Sequence, residues 1–88
     1  MKLVRKVRVK NLLGLHTRPA TMIVKILQNC KSDVTFVHKR ESINAKSILS
    51  ILMLAAKKNT LITVTVDGVD AEAVIDKLVN AFETGFGE

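Results

Sequence analysis

The chain has 88 residues, a single cysteine, three phenylalanines and no tryptophan or tyrosine. That size and composition imply one small domain, residues 1–88, with an aliphatic core, exclude an intrachain disulfide framework and point to a reducing, cytoplasmic setting. The net charge of +6 suits nucleic acid, an anionic surface or an acidic protein, but the basic residues are scattered and no aromatic side chains are interleaved for base stacking. No apolar run reaches the roughly 18 residues that span a bilayer, and Met1-Lys2-Leu3-Val4-Arg5-Lys6 is too interrupted by charge for a secretory signal. We therefore expect no membrane insertion and no nucleic-acid site, but a solvated basic surface or a docking face for an acidic protein.

Lys6 to Lys10 alternates polar and apolar, with Val7 and Val9 on one face, which predicts a strand. Asn11 to Leu15 reads as a loop. A helix follows, with His16 at its amino end and Pro19 in its first turn, where a missing N–H costs nothing. Ala20, Ile23, Val24 and Leu27 fall at i, i+3, i+4 and i+7, the stripe of a buried helix face. Val34, Phe36 and His38 predict a second strand. Lys39 to Ser42 is a charged turn, and Ser42 to Asn44 a short return strand.

Ser47 to about Lys57 is apolar and free of helix breakers, so a helix is predicted there. Asn59 is placed to end it in the left-handed conformation. Leu61 to Val66 alternates β-branched residues, the third clear strand. Asp67-Gly68 is a turn and Asp70 a good N-cap. Val74, Ile75, Leu78 and Phe82 give the last amphipathic helix. The order is strand, helix, strand, strand, helix, strand, helix. This predicts an α+β open-faced sandwich, a four-stranded, mostly antiparallel sheet covered on one face by three helices.

The chemistry concentrates in Gly14-Leu15-His16-Thr17-Arg18-Pro19-Ala20. A helix amino end carries free N–H groups and the positive pole of the macrodipole, so it favours anions. Imidazole is a nucleophile when neutral, and that positive pole disfavours imidazolium. A nucleophile beside an anion site points to a phosphoryl group held on nitrogen. Arg18 presents a planar fork to phosphate. Thr17 caps the helix or lends a backbone N–H. The chain has four glycines and no glycine-rich phosphate loop, so the phosphoryl donor is expected to be a protein. No cofactor and no metal site are expected: His38 lies on a strand with no second ligand. Cys30 reads as a small buried hydrophobe.

The element order and the His16 motif resemble the histidine-containing phosphocarrier (HPr) family of the bacterial phosphoenolpyruvate-dependent phosphotransferase system. Asn44-Ala45-Lys46-Ser47-Ile48-Leu49 resembles that family's second signature, about thirty residues further on. The resemblance implies a phosphocarrier that takes phosphate from enzyme I and passes it to an enzyme IIA domain. It implies that His16 is phosphorylated at Nδ1, that Arg18 stabilises the phosphate, and that Ser47 is the target of a regulatory kinase (an HPr serine kinase/phosphatase). Such a chain is a phosphoryl carrier with a covalent intermediate, and its sequence does not decide whether to class it as an enzyme. The segments Ser47–Leu54 and Phe82-Glu83-Thr84-Gly85-Phe86 are similar also to the nitrogen-branch relative, NPr. The chain departs from the family pattern at the turn His38-Lys39-Arg40-Glu41, at Ser50 and at Asn59, the last two standing where relatives have glycine.

Ser47 reads equally as an N-cap, worth about 1 kcal/mol, and as a regulatory site. A phosphate there adds roughly two negative charges beside a docking surface. Residues 48 to 54 are too apolar for one helix face. Ile51 and Leu54 are expected to point inward, while Ile48, Leu49, Leu52 and Met53 form a partner-docking patch or pack into the core. The leading reading is a monomeric phosphocarrier of the phosphotransferase system, with sugar transport and the nitrogen branch both left open. The alternative is a regulatory binding protein, NPr-like or read through phosphorylation at Ser47 or His16.

Overall fold

The computed structural model describes residues 1–88. Strand β1 (Lys2–Arg8) pairs along its whole length with β4 (Leu61–Asp67), from Lys2↔Asp67 to Arg8↔Leu61. On its other side β4 pairs with β2 (Asp33–His38), setting Val34 beside Val66 and Phe36 beside Val64. β3 (Glu41–Asn44) closes the far edge against β2. The sheet order is β1-β4-β2-β3, and every pairing is antiparallel. Three helices, α1 (Thr17–Leu27), α2 (Ile48–Leu54) and α3 (Ala71–Glu83), complete the βαββαβα order of an open-faced sandwich. None is long and apolar enough to cross a membrane.

Burial follows the period of each element. In β4, Ile62, Val64 and Val66 are buried while Leu61, Thr63, Thr65 and Asp67 are not. α1 buries Pro19, Ala20, Ile23 and Leu27, and α3 buries Ala71, Val74, Ile75, Leu78, Ala81 and Phe82. These side chains join one hydrophobic core. The three phenylalanines run through it edge-to-face: Phe36 to Phe82 at 5.7 Å and Phe82 to Phe86 at 4.9 Å between centroids. This stack ties the sheet, α3 and the chain's last residues together.

Five local expectations are corrected. β1 occupies Lys2–Arg8, not Lys6–Lys10. It is an edge strand with one face in solvent, and on its inner row Leu3 is only half-buried and Arg5 exposed, so no alternation shows before Val7. α2 ends at Leu54, short of Lys57. Ala55 adopts φ 52 and its N–H reaches Leu52 O at 3.1 Å. Ala56 is then buried and its carbonyl accepts from Leu15 N–H, which draws the chain away from the helix axis. Asn59 is left-handed (φ 74), as its type allows, but it sits in the turn before β4, with its N–H on Val9 O at 2.7 Å. Cys30 is only half-buried, in the connection after α1, with its Sγ donating to Ser32 O at 3.5 Å.

The fifth concerns Asp70. It holds the N-cap position of α3, but its side chain makes no cap bond. Its carboxylate instead accepts from Lys31 N–H at 2.7 Å and from the Ser32 hydroxyl. These bonds, the Lys31 N–H first, hold its carboxyl below the ordinary value of 3.8. Gly68 packs directly on Ser32, where a Cβ would overlap the serine. The connection before β2 is thereby stitched to the start of α3.

The sequence reading placed no element after α3. There, Gly85, Phe86 and Gly87 have φ values of 60, 56 and 74, forming a 3-10 turn that reverses the chain. A positive φ is unfavourable for a bulky residue, and the fully buried Phe86 ring against Phe82 offsets it. The reversal brings Glu88 back over the end of the molecule that holds His16.

Candidate functional site

The His16 loop is fixed from both sides. Gly14 takes φ 68, and a Cβ on it would overlap the Ala56 carbonyl. The Leu15 side chain is buried, and its N–H donates to Ala56 O at 2.9 Å. Beyond the loop, Pro19 and Ala20 are buried in α1. Between these anchors His16 is extended (φ −78, ψ −170) and is the N-cap residue of α1. Its carbonyl accepts from Ala20 N–H at 3.0 Å. Thr17 and Arg18 are the first two helical residues, and their N–H groups have no partner within the protein. Two unsatisfied donors and the helix's positive pole therefore lie at the backbone of His16.

The imidazole is half-buried. Its Nε2 lies 3.0 Å from Glu88 Oε2 and 3.1 Å from Glu88 Oε1. Asn11, 5% exposed, donates from Nδ2 to Gly14 O and, at 3.1 Å, to Glu88 Oε1. Its Oδ1 is buried and unpartnered. A carboxylate offers only acceptors, so Nε2 carries the hydrogen and donates it to Glu88. In the neutral ring Nδ1 is then the nitrogen with a free lone pair, and it has no hydrogen-bond partner in the protein.

Arg18 is exposed and lines a cleft of about 520 Å³ together with Lys10, Lys58, Asn11 and Glu88. Lys10 Nζ donates to Glu83 O at 3.4 Å. Arg18 and Lys58 have no salt bridge, and the two ion pairs of the molecule involve the amino terminus and His16 instead of any lysine or arginine. Unpaired cations beside a nucleophilic nitrogen and two free N–H groups can receive a dianionic phosphoryl group. Thr17 is exposed and makes no side-chain cap bond, so its contribution here is its N–H. No three His, Cys, Asp or Glu side chains converge as metal ligands. His38 has its Nδ1 3.3 Å from Leu61 O, a carbonyl that can only accept.

Ser47 is the N-cap of α2, and its Oγ accepts from Ser50 N–H at 3.2 Å. α2 divides as its composition suggests: Ile51 and Leu54 are buried, while Ile48, Leu49 and Met53 are 39, 64 and 72% exposed. Leu52 is half-buried against the core and belongs only partly to that outer face. Leu12 and Leu13, directly before the His16 motif, are also exposed. The bond from Leu15 to Ala56 joins their loop to the end of α2. Charge is distributed unevenly. Arg8, Lys10, Lys39, Arg40, Lys57 and Lys58 outnumber Glu41, Glu83 and Glu88 at the end of the sheet nearest the loop, and Asp33, Asp67, Asp70 and Glu72 lie at the other with Lys2 and Lys31.

Sequence reasoning missed Asn11, Glu88 and the two leucines. Asn11 and Glu88 stand 77 positions apart in segments without periodicity, so only the fold reveals their meeting. Leu12 and Leu13 carried a legible signal, two large apolar residues in a loop.

The family description "PTS HPr component phosphorylation site" matches residues 3–84. The phosphocarrier protein HPr of Chlamydia pneumoniae is 45% identical over 80 residues, covering 91% of this chain and 74% of that protein. The phosphocarrier protein NPr of Proteus mirabilis is 34% identical over 85 residues, covering 96% of this chain and 94% of that one. The crystal structure of HPr-C-His from Thermoanaerobacter tengcongensis superposes with a TM-score of 0.93 at 31% identity, covering 98% of this chain and 97% of that chain. A sandwich of this topology, a histidine at the N-cap of α1 and these relatives lead to one conclusion: the chain belongs to the HPr/NPr family, the phosphocarrier proteins of the phosphotransferase system.

Proposed function

We propose that His16 is the residue that carries the phosphoryl group, taking it from phospho-enzyme I on Nδ1 and giving it to an enzyme IIA domain. The observation that carries this reading is the pairing of Nε2 with a carboxylate, which leaves Nδ1 as the free nucleophile at an open helix amino end. The Nδ1 lone pair attacks phosphorus, the bond from phosphorus to the donor breaks, and its electron pair leaves with the donor. Onward transfer is the same exchange in reverse with a new acceptor. The Thr17 and Arg18 N–H groups and the Arg18 guanidinium donate hydrogen bonds to the phosphoryl oxygens. This modest set of contacts suits a carrier, since a tighter site would retain the group.

Ile48, Leu49, Met53 and the exposed part of Leu52 form the apolar centre of the docking face, with the basic end of the molecule steering acidic partners. Ser47, the N-cap residue directly before Ile48 and Leu49, is the position where a kinase would add charge and weaken docking. The carrier acts as a monomer in the cytoplasm, meeting each partner in turn. Among the relatives described above, the HPr protein is the more similar, 45% against 34% for the NPr protein, and this supports the sugar-transport branch.

The branch is tested by presenting the phosphorylated chain to isolated IIA domains, one of a sugar permease and one of the nitrogen branch. Faster transfer to the sugar domain is expected. Transfer to the nitrogen domain alone would assign the chain to the regulatory branch.

A further inference from the structure

Three features outside the His16 motif converge on His16. The 3-10 turn Gly85–Gly87 holds three successive left-handed residues, one of them phenylalanine. Such a run is unfavourable away from glycine, and the Phe86 ring, 2% exposed and 4.9 Å from Phe82, secures it. The turn is closed by Gly87 N–H to Thr84 O at 3.2 Å and Glu88 N–H to Gly85 O at 3.0 Å. The product of this geometry is the position of one side chain. Glu88 reaches His16 Nε2, and the buried amide of Asn11 holds it there while also bonding Gly14 O at the entry to the loop.

We infer that Asn11 and Glu88 are positioning residues for phosphoryl transfer, a strap that keeps hydrogen on Nε2 and compensates the charge that transfer places on the ring. This rests on the carrier reading of His16 and adds to it a part for two residues beyond the motif. When Nδ1 bonds to phosphorus, its lone pair is consumed and the ring becomes cationic, while the hydrogen stays on Nε2. Glu88 already faces that edge of the ring, so no proton has to move and no water has to reorganise. When the phosphoryl group leaves, the electron pair returns to Nδ1 and the ring is neutral again with the same tautomer. Asn11 acts through Glu88: its Nδ2 fixes Oε1, which keeps the carboxylate on the imidazole instead of turning to Arg18, Lys10 or Lys58, the cations that share the cleft with it.

The test is a double-mutant cycle of Asn11→Ala and Glu88→Ala, read as the rate of phosphoryl gain from phospho-enzyme I. Each single variant is expected to slow transfer about tenfold, the weight of one charge-assisted hydrogen bond. The double variant should be little slower than either, because the two act as a unit. A purely structural role for Asn11 at Gly14 predicts losses that multiply. Nitrogen-15 spectra of the neutral His16 ring give a readout that loop stability does not move. The native protein should show hydrogen on Nε2 alone, and the Ala variants both tautomers. Glu88→Gln, whose amide oxygen still accepts from Nε2, should keep the native tautomer yet transfer slowly for want of charge.

Multiplying losses, or a Glu88→Ala chain with native rate and native ring spectrum, would overturn the inference. A native chain that takes no phosphate from enzyme I would overturn the carrier reading instead, and the ring spectra would still show whether the strap holds the imidazole.

Discussion

The Leu15 N–H donates to the Ala56 carbonyl at 2.9 Å, joining the loop that presents His16 to the residue that follows the cap of α2. The His16 loop and α2 are thereby held in one frame. Gly14 makes the approach possible, since at φ 68 a Cβ would overlap that same carbonyl. Gly14→Ala is therefore expected to cost about 2 kcal/mol or more, combining left-handed strain with a steric clash. Urea unfolding checks the stability. Phosphoryl transfer by the folded fraction should fall as well, because the loop can relieve the clash only by moving His16.

The outer face of α2 separates binding from folding. Met53 and Leu49 are 72 and 64% exposed, so Met53→Asp or Leu49→Asp should leave the melting temperature nearly unchanged and raise the KM for partner proteins at least several-fold. Ile51, two residues from each and fully buried on the opposite face of the helix, behaves in the opposite way: Ile51→Ala should cost about 2–5 kcal/mol. Calorimetry and transfer kinetics on the same three variants read the difference directly.

Ser47 caps α2 through Ser50 N–H. Ser47→Ala should lower stability by about 1 kcal/mol, as cap removals do, with transfer little affected. Ser47→Asp keeps a capping oxygen, so it should be nearly as stable as the native protein, yet it places negative charge at the edge of the docking face and should transfer more slowly. An aspartate variant with native kinetics at low salt would remove the basis for Ser47 as a charge-operated control.

Asp70 supplies a pH dependence. Its carboxyl is held below the ordinary 3.8 by Lys31 N–H and the Ser32 hydroxyl, so the folded state binds this proton less readily than the unfolded chain does. Its contribution is complete above that ordinary value and is lost as pH falls through the lower folded value. Asp70→Asn should be less stable than the native protein at neutral pH, and the two should converge in acid. Thermal melts from pH 7 to pH 2 measure that convergence.

Much of this architecture is readable from residue patterns. Leu61 to Val66 and the Ala20-Ile23-Val24-Leu27 stripe are periodic enough to assign without a structure, because one face of each must leave water. The start of β1 was hidden, since an edge strand with half-covered inner positions shows no alternation. The early end of α2 was hidden because Ala55 and Ala56 are good helix formers, and only the tertiary contact at Leu15 turns the chain there. Asp70 has the residue type of a cap, yet two donors from the far side of the chain outbid the local one. At the site, His16, Arg18 and Ser47 stand out as a local motif. Asn11 and Glu88 did not, for their contact with His16 exists only once Phe86 has folded the last residues back across the molecule.

The central claim is that His16 carries the phosphoryl group. It is tested most directly by intact mass after mixing the chain with phosphoenolpyruvate and enzyme I. A single acid-labile phosphate on the native protein, absent from His16→Ala, is the predicted result. No phosphate on the native chain, or the same phosphate on His16→Ala, would contradict the account.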